Sequence, residues 1–90
     1  MSHLFDISGK VAVVTGGSRG IGLMIARGFV EAGAKTYISS RKADVCNAVA
    51  EELSGSGQCI SIPADLGSEA GCRYLADEVA KREEQVHILV

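Results

Sequence analysis

The sequence predicts an α/β protein in which a parallel sheet is covered by helices on both faces, with the element order βαβαβαβ. Short apolar runs of strand length alternate with longer segments of helical periodicity. The first run, Lys10–Thr15, is almost continuously apolar, which is typical of a parallel strand that is buried on both faces. Glycine or serine and proline mark most of the junctions. Strands and helices in this order imply right-handed crossovers.

Each element follows from its local pattern. Apolar residues cover most of the circumference of the first helix, so we expect it to pack closely on the sheet, and Gly33 ends it. In the third helix, which Ser68 caps, we expect five residues to face inward: Cys72, Leu75, Ala76, Val79 and Ala80. The strands are predicted at Lys10–Thr15, Lys35–Ser40, Gln58–Pro63 and from Val86 or His87 to Val90, and the first two helices at Gly20–Ala32 and Ala43–Ser54.

Composition narrows the class of protein. The 90 residues suffice for one small domain at most, and the 47% hydrophobic content indicates a buried core rather than disorder. A net charge of −2 provides no basic surface for nucleic acid. Neither a membrane-spanning run nor a signal-peptide pattern is visible, so we expect a cytoplasmic protein that binds no membrane.

Neither the cysteines nor the histidines show metal-ligand spacing. Cys46, Cys59 and Cys72 form no Cys-x-x-Cys pair, and we interpret them as buried apolar residues in a reducing compartment. His3 and His87 stand apart from any cysteine or carboxylate at ligand spacing. We therefore predict no metal site.

The strongest functional signal is the glycine-rich stretch between the first strand and the first helix. Glycine lets a backbone turn sharply and approach a ligand that a Cβ would exclude. The helix that follows directs unpaired N–H groups and a partial positive charge at whatever lies before it. The pattern Gly-x-x-x-Gly-x-Gly in this context predicts a site for a dinucleotide pyrophosphate, formed by Gly16, Ser18, Arg19, Gly20, Ile21 and Gly22.

This stretch, with Thr15 before it and Ile21 between its last two glycines, resembles the short-chain dehydrogenase/reductase family, and residues 5–10 resemble that family's usual N-terminus. The resemblance implies a Rossmann-type doubly wound fold with strand order 3-2-1-4, and a ligand site at the carboxyl ends of strands one and four. Including Ile-Pro-Ala-Asp-Leu at 62–66, the sequence is similar to bacterial NADPH-dependent β-ketoacyl reductases, among them the type associated with rhamnolipid synthesis.

The end of strand two decides which nucleotide is expected. An acidic residue there would bind the ribose hydroxyls and repel a 2′-phosphate, but this chain has Ser40 and Arg41. The planar guanidinium of Arg41 suits a phosphate, and Arg19 points to the same region in the family that the chain resembles. We therefore predict NADP(H). The alternative is that Arg41 and Lys42 are ordinary solvated residues leading into a helix.

Asp65 and Leu66 follow strand three. By resemblance, Asp65 accepts a hydrogen bond from the adenine amino group and Leu66 contributes a backbone contact. The alternative for Asp65 is an ordinary turn residue after Pro63.

The catalytic residues of the family cannot be located in this sequence. The resemblance implies a Tyr-x-x-x-Lys pair with a serine and an asparagine. Tyr37 is followed by Arg41 and Tyr74 by Glu78, so we assign neither tyrosine to catalysis and interpret both as packing or partly exposed residues. We expect residues 1–90 to be the N-terminal part of a single dinucleotide-binding domain of a longer reductase, inactive alone and with strand four as an exposed edge.

The sequence is compatible with three functions. The first is a reductase, tetrameric by resemblance, that converts a small-molecule ketone such as a 3-oxoacyl thioester to the alcohol. The second is a non-catalytic NADP(H)-binding regulatory or sensor module, which a downstream Tyr-x-x-x-Lys would exclude. The third is a methyltransferase that uses S-adenosylmethionine, which an acidic residue in the place of Ser40 would favour.

Overall fold

The computed structural model describes residues 7–16 and 20–90. Within them the helices and strands alternate along the chain, and a short 3₁₀ helix at Ser54–Ser56 follows the second α-helix. The elements are β1 (Val11–Thr15), α1 (Gly20–Glu31), β2 (Lys35–Ser39), α2 (Ala43–Leu53), β3 (Cys59–Ser61), α3 (Glu69–Arg82) and β4 (Ile88–Leu89).

The four strands form one parallel sheet in the order β3-β2-β1-β4, which confirms the predicted doubly wound topology. β1 pairs along its whole length with β2, from Val11 opposite Lys35 to Thr15 opposite Ser39. β4 lies on the other side of β1, with Ile88 opposite Ala12 and Leu89 opposite Val13. The carboxyl ends of all these strands point to the same edge.

Two apolar clusters lie on opposite faces of the sheet. One packs α1 and α2 against it, around Val14, Val30 and Ile38. The other packs α3 against it, around Val13, Tyr37 and Leu75. Residues at successive strand positions face opposite sides, so a strand covered on both faces needs apolar residues throughout, as β1 has.

The ends of α1 and α3 follow the sequence signals. Gly33 adopts φ 94°, and the N–H groups of Gly33 and Ala34 donate to the carbonyl oxygens of Val30 and Phe29, so α1 ends in a Schellman motif. Ser68 precedes α3 with extended dihedrals, and its Oγ accepts from the Gly71 N–H at 3.0 Å.

Several predicted boundaries were wrong by one or two residues at an end. β1 starts at Val11 rather than Lys10, α1 ends at Glu31, β2 ends at Ser39, and α2 ends at Leu53, where the backbone tightens into the 3₁₀ helix. β3 is confined to Cys59–Ser61 and β4 to Ile88–Leu89.

Part of the predicted burial was also wrong. Ile21 and Met24 of α1 are 76% and 72% exposed, so α1 does not bury most of its circumference. In α3, Leu75 and Val79 are buried as predicted, whereas Cys72, Ala76 and Ala80 are exposed. All five line an apolar groove of about 620 Å³ between α3, β1 and β4, so all five face the sheet, but Cys72, Ala76 and Ala80 are not covered there.

Among the cysteines, Cys46 and Cys59 are buried as predicted, but Cys72 is exposed. Burial raises the pKa of the Cys59 thiol to about 11, because the thiolate would lose its hydration. Among the residues described, no helix combines the length and apolar character that crossing a membrane requires.

Candidate functional site

The carboxyl ends of β1 and β2 and the segment after β3 are tied together by backbone hydrogen bonds. The Gly16 N–H donates to the Ser39 carbonyl at 2.8 Å, and the Ala64 N–H donates to the Ser40 carbonyl at 3.0 Å. The structure therefore brings Gly16, Ser40 and Asp65, which are far apart in sequence, to one edge of the sheet.

The glycine turn begins where β1 ends. Gly16 has φ 70° and Gly20 has φ 62°, conformations that L side chains rarely adopt. Among the residues that the structure describes, a Cβ at either position would have no heavy atom within 4 Å. Ile21 and Gly22 lie in the first turn of α1, which contains no acidic residue. Two predicted site residues, Ser18 and Arg19, lie outside the described residues.

A second helix start adjoins this edge. Lys42 is the N-cap of α2 and makes no side-chain cap, so the first N–H groups of α2 have no capping oxygen from it. Asp44 lies in the first turn and partly balances the positive end of the helix. The Arg41 side chain is exposed directly before it.

The hydroxyl oxygen of Ser40 is the atom that points most clearly to a ligand at this edge. This Oγ is buried, yet it has no hydrogen-bond partner among the residues described. A buried hydroxyl without a partner is destabilising, so such atoms are rare and call for an explanation. The neighbouring Ser39 shows the contrast, since its buried Oγ donates to the Ile62 carbonyl at 2.7 Å.

Asp65 has a structural role that the sequence reasoning treated only as an alternative. Its Oδ1 accepts from the Gly67 N–H at 3.0 Å, and its carbonyl oxygen accepts from the N–H and the Oγ of Ser68. Asp65 therefore forms the turn that leads into α3. Its side chain is exposed, so an oxygen remains accessible to a ligand, whereas Leu66 is half-buried against the α3 face of the sheet.

Together these features form a site suited to an anionic ligand. Gly16 and Gly20, both with positive φ, lie at the end of β1 and the start of α1, and the serine hydroxyl and arginine lie directly before α2. Helix N-termini and guanidinium groups both stabilise phosphate oxygens. In the described part of the chain, no three histidine, cysteine, aspartate or glutamate side chains lie together so as to hold a metal ion.

The tyrosines have structural environments. Tyr37 is 1% exposed in β2, and its hydroxyl donates to Glu83 Oε2 at 2.6 Å. Tyr74 is half exposed on α3. Lys35 also forms an ion pair with Glu83 and lies 5.8 Å from the centre of the Tyr37 ring. Sequence reasoning missed this cluster, because Glu83 follows α3 and gives no local signal that it returns to β2.

The cluster shifts the ionisation of all three groups. The hydrogen bond with Lys35, and after it that with Tyr37, hold the pKa of Glu83 below its ordinary range. Burial, with a further effect of Glu83, raises the pKa of Tyr37. The hydrogen bond to Glu83 raises the pKa of Lys35. The arrangement therefore favours a charged Glu83–Lys35 pair beside a neutral phenol.

We expect Tyr37→Phe to lower the free energy of unfolding at neutral pH by about 1–2 kcal/mol, because it removes a buried hydrogen bond to a carboxylate. The control Tyr74→Phe removes an exposed hydroxyl and should change it by less than about 0.5 kcal/mol. Denaturant titrations of both variants check this, and equal effects would contradict it.

The pH dependence of unfolding follows from the same shifts. Because the pKa of Glu83 is lowered on folding, its contribution is present above the ordinary glutamate range and is lost as pH falls through the lowered value. Because those of Tyr37 and Lys35 are raised, their contributions are lost as pH rises above about 10. In a plot of the free energy of unfolding against pH, Glu83→Gln should therefore show a smaller decrease at acidic pH than the wild type.

The strand order β3-β2-β1-β4 and the glycines between β1 and α1 define a Rossmann-type α/β domain. The family model of short chain dehydrogenases matches residues 10–90. The chain therefore belongs to the short-chain dehydrogenase family, as the sequence resemblance predicted.

Individual relatives are similar over most of this chain. It is 50% identical over 90 residues to the rhamnolipids biosynthesis 3-oxoacyl-[acyl-carrier-protein] reductase of Pseudomonas aeruginosa, covering all of this chain and 35% of that protein. It is 46% identical over 71 residues to the NADP-dependent (R)-specific alcohol dehydrogenase of Lentilactobacillus kefiri, covering 79% of this chain and 28% of that protein.

A solved structure gives the same result for the fold. The Pseudomonas aeruginosa RhlG/NADP active-site complex superposes with a TM-score of 0.93 at 49% identity, over 99% of this chain and 36% of that chain. The chain thus spans about a third of the length of these relatives.

Proposed function

We propose that residues 1–90 form the NADP(H)-binding part of a short-chain reductase. The observation that carries this proposal is the Ser40 hydroxyl, which is buried without a partner between the end of β2 and the uncapped start of α2. A 2′-phosphate placed there would accept from Ser40 and Arg41 and would face the first N–H groups of α2. The residues between the end of β2 and Asp44 include no carboxylate, so the position where an acidic residue would repel the phosphate holds Ser40.

The pyrophosphate is assigned to the glycine turn. The residues proposed for it are Gly16, Ser18, Arg19, Gly20, Ile21 and Gly22. The positive φ of Gly16 and Gly20 and the first turn of α1, which contains no acidic residue, support this assignment.

The adenine is assigned to Asp65 and Leu66. The exposed carboxylate of Asp65 supports this assignment, because one of its oxygens is held by the Gly67 N–H and the other can accept from the adenine amino group. The turn role and the binding role are compatible, since the turn fixes the direction of the carboxylate.

The proposed activity of the whole protein is the NADPH-dependent reduction of a ketone, such as a 3-oxoacyl thioester, to the hydroxy compound. The 50% identity to a 3-oxoacyl-[acyl-carrier-protein] reductase and the likeness to an NADP complex support it. These residues would supply only the adenosine and pyrophosphate part of the site. We further propose that the protein is cytoplasmic, in accord with the three free cysteines of the described chain. By resemblance to the family, we also propose that it is a homotetramer.

The proposal is tested by titrating NADPH into Gly16→Val and into the matched control Gly9→Val. Both glycines have positive φ, 70° and 80°, and neither has a heavy atom within 4 Å of a Cβ, so the backbone strain should be similar. Only Gly16 lies at the carboxyl edge. We expect Gly16→Val to weaken NADPH binding by about tenfold or more and Gly9→Val to leave it unchanged. Equal affinities in the two variants would refute the phosphate assignment.

A further inference from the structure

The start of β4 is joined to β1 by a histidine side chain. The Val11 N–H donates to His87 Nδ1 at 3.0 Å, and the His87 N–H donates to the Val11 carbonyl at 2.9 Å. The regular pairing begins one residue later, where Ala12 lies opposite Ile88. The imidazole therefore takes the place of a backbone acceptor at the point where the ladder between β1 and β4 begins.

This bond requires one protonation state of the imidazole. Nδ1 can accept only when its lone pair is free, which places the single ring proton on Nε2. The imidazolium donates from both nitrogens and would oppose its proton to that of the Val11 N–H. Val11 is 8% exposed, and the bond lies part-buried beside the exposed His87 residue, so an imidazolium would leave the Val11 N–H without its protein acceptor.

The opposite end of β4 is held independently of His87. The N–H and the Oγ1 of Thr15 both donate to the Val90 carbonyl, at 3.0 and 2.9 Å, and the Val90 N–H donates to Val13 at 2.9 Å. Loss of the His87 contact would therefore loosen the start of β4 and leave its carboxyl end in place, beside the glycine turn.

Four charged residues lie on the segments next to His87, and the structure shows none of them in an ion pair with its imidazole. Lys10 precedes β1, Lys35 begins β2, and Glu83 and Glu84 lie in the connection from α3 to His87. Lys35 and Glu83 are paired with each other. Within the part of the chain that the structure describes, no ion pair includes His87.

We propose that His87 is a protonation-sensitive clasp, which holds the start of β4 on β1 when the imidazole is neutral and releases it when the imidazole is protonated. Imidazole side chains as a class change charge between about pH 5 and 8, which sets the pH range of the experiment.

The test follows the Val11 amide and the ring nitrogens of His87 by NMR in purified protein labelled with ¹⁵N-valine and ¹⁵N-histidine. At about pH 8 the ring proton should lie on Nε2. Amide hydrogen exchange is then followed as the pH is lowered to about 5. The protection factor of the Val11 amide, corrected for the intrinsic exchange rate, should fall by about tenfold or more, while the Val90 amide stays protected from exchange.

Two variants separate protonation from simple loss of a side chain. His87→Asn offers a carbonyl oxygen that does not titrate, so Val11 protection should be independent of pH. His87→Ala offers no acceptor, and protection should be low at both pH values. A ring proton on Nδ1 at about pH 8, constant wild-type protection, or an equal loss in His87→Asn would overturn the proposal.

Discussion

Gly71→Ala should lower the free energy of unfolding by at least about 3 kcal/mol. This is the largest effect that we expect from adding one methyl group to any glycine of the described chain. A Cβ at Gly71 would overlap the carbonyl group of Asp65, and the atoms that it meets are backbone rather than the end of a flexible side chain. The same Gly71 N–H donates to the Ser68 cap. The start of α3 and the Asp65 turn would therefore have to separate.

Gly28→Ala is the matched control for this change. Gly28 is also a glycine within a helix, but a Cβ there would have no heavy atom within 4 Å. Alanine should stabilise that helix by about 0.5–1 kcal/mol, because it restricts the unfolded chain. Denaturant unfolding of the two variants measures the difference, and a Gly71→Ala protein as stable as Gly28→Ala would show that α3 does not pack against Asp65.

The second large effect concerns nucleotide choice. Arg41→Ala should weaken NADPH binding by about 1.5–3 kcal/mol, or about 10- to 150-fold, because it removes a charge-assisted contact to the 2′-phosphate. NADH lacks that phosphate, so its affinity should barely change. The Arg41 side chain is exposed, so the variant should fold like the wild type.

Arg73→Ala provides the control, because Arg73 is an exposed arginine on α3 whose ion pair is with the exposed Glu69. It should leave both affinities unchanged. If Arg41→Ala weakened NADPH and NADH equally, Arg41 would act on a part of the cofactor that both share, and the phosphate assignment would be wrong.

Local signals were sufficient to predict the helices and strands, and the family resemblance supplied the strand order. Glycines at strand-to-helix junctions, a continuous apolar β1 and the serine before α3 each depend on neighbours in sequence, and the structure places them as predicted. Ser40 and Asp65 could be placed at one edge because parallel strands all end there.

What failed depends on contacts between distant segments. The exposure of Met24, Ala76 and Ala80 could not be predicted, because periodicity shows which face of a helix is apolar but not whether another element covers it. The bonds of Tyr37 to Glu83 and of Val11 to His87 span 46 and 76 residues, and no local pattern connects such pairs.

We propose above that Ser40 and Arg41, between β2 and α2, bind a phosphate on the 2′ position of adenosine. Calorimetric titration of the purified protein with adenosine 2′,5′-bisphosphate and with its 3′,5′ isomer tests it directly, because the two ligands carry the same groups and differ only in the position of one phosphate. We expect the 2′,5′ isomer to bind about tenfold or more tightly than the 3′,5′ isomer. Equal affinities, or tighter binding of the 3′,5′ isomer, would contradict it.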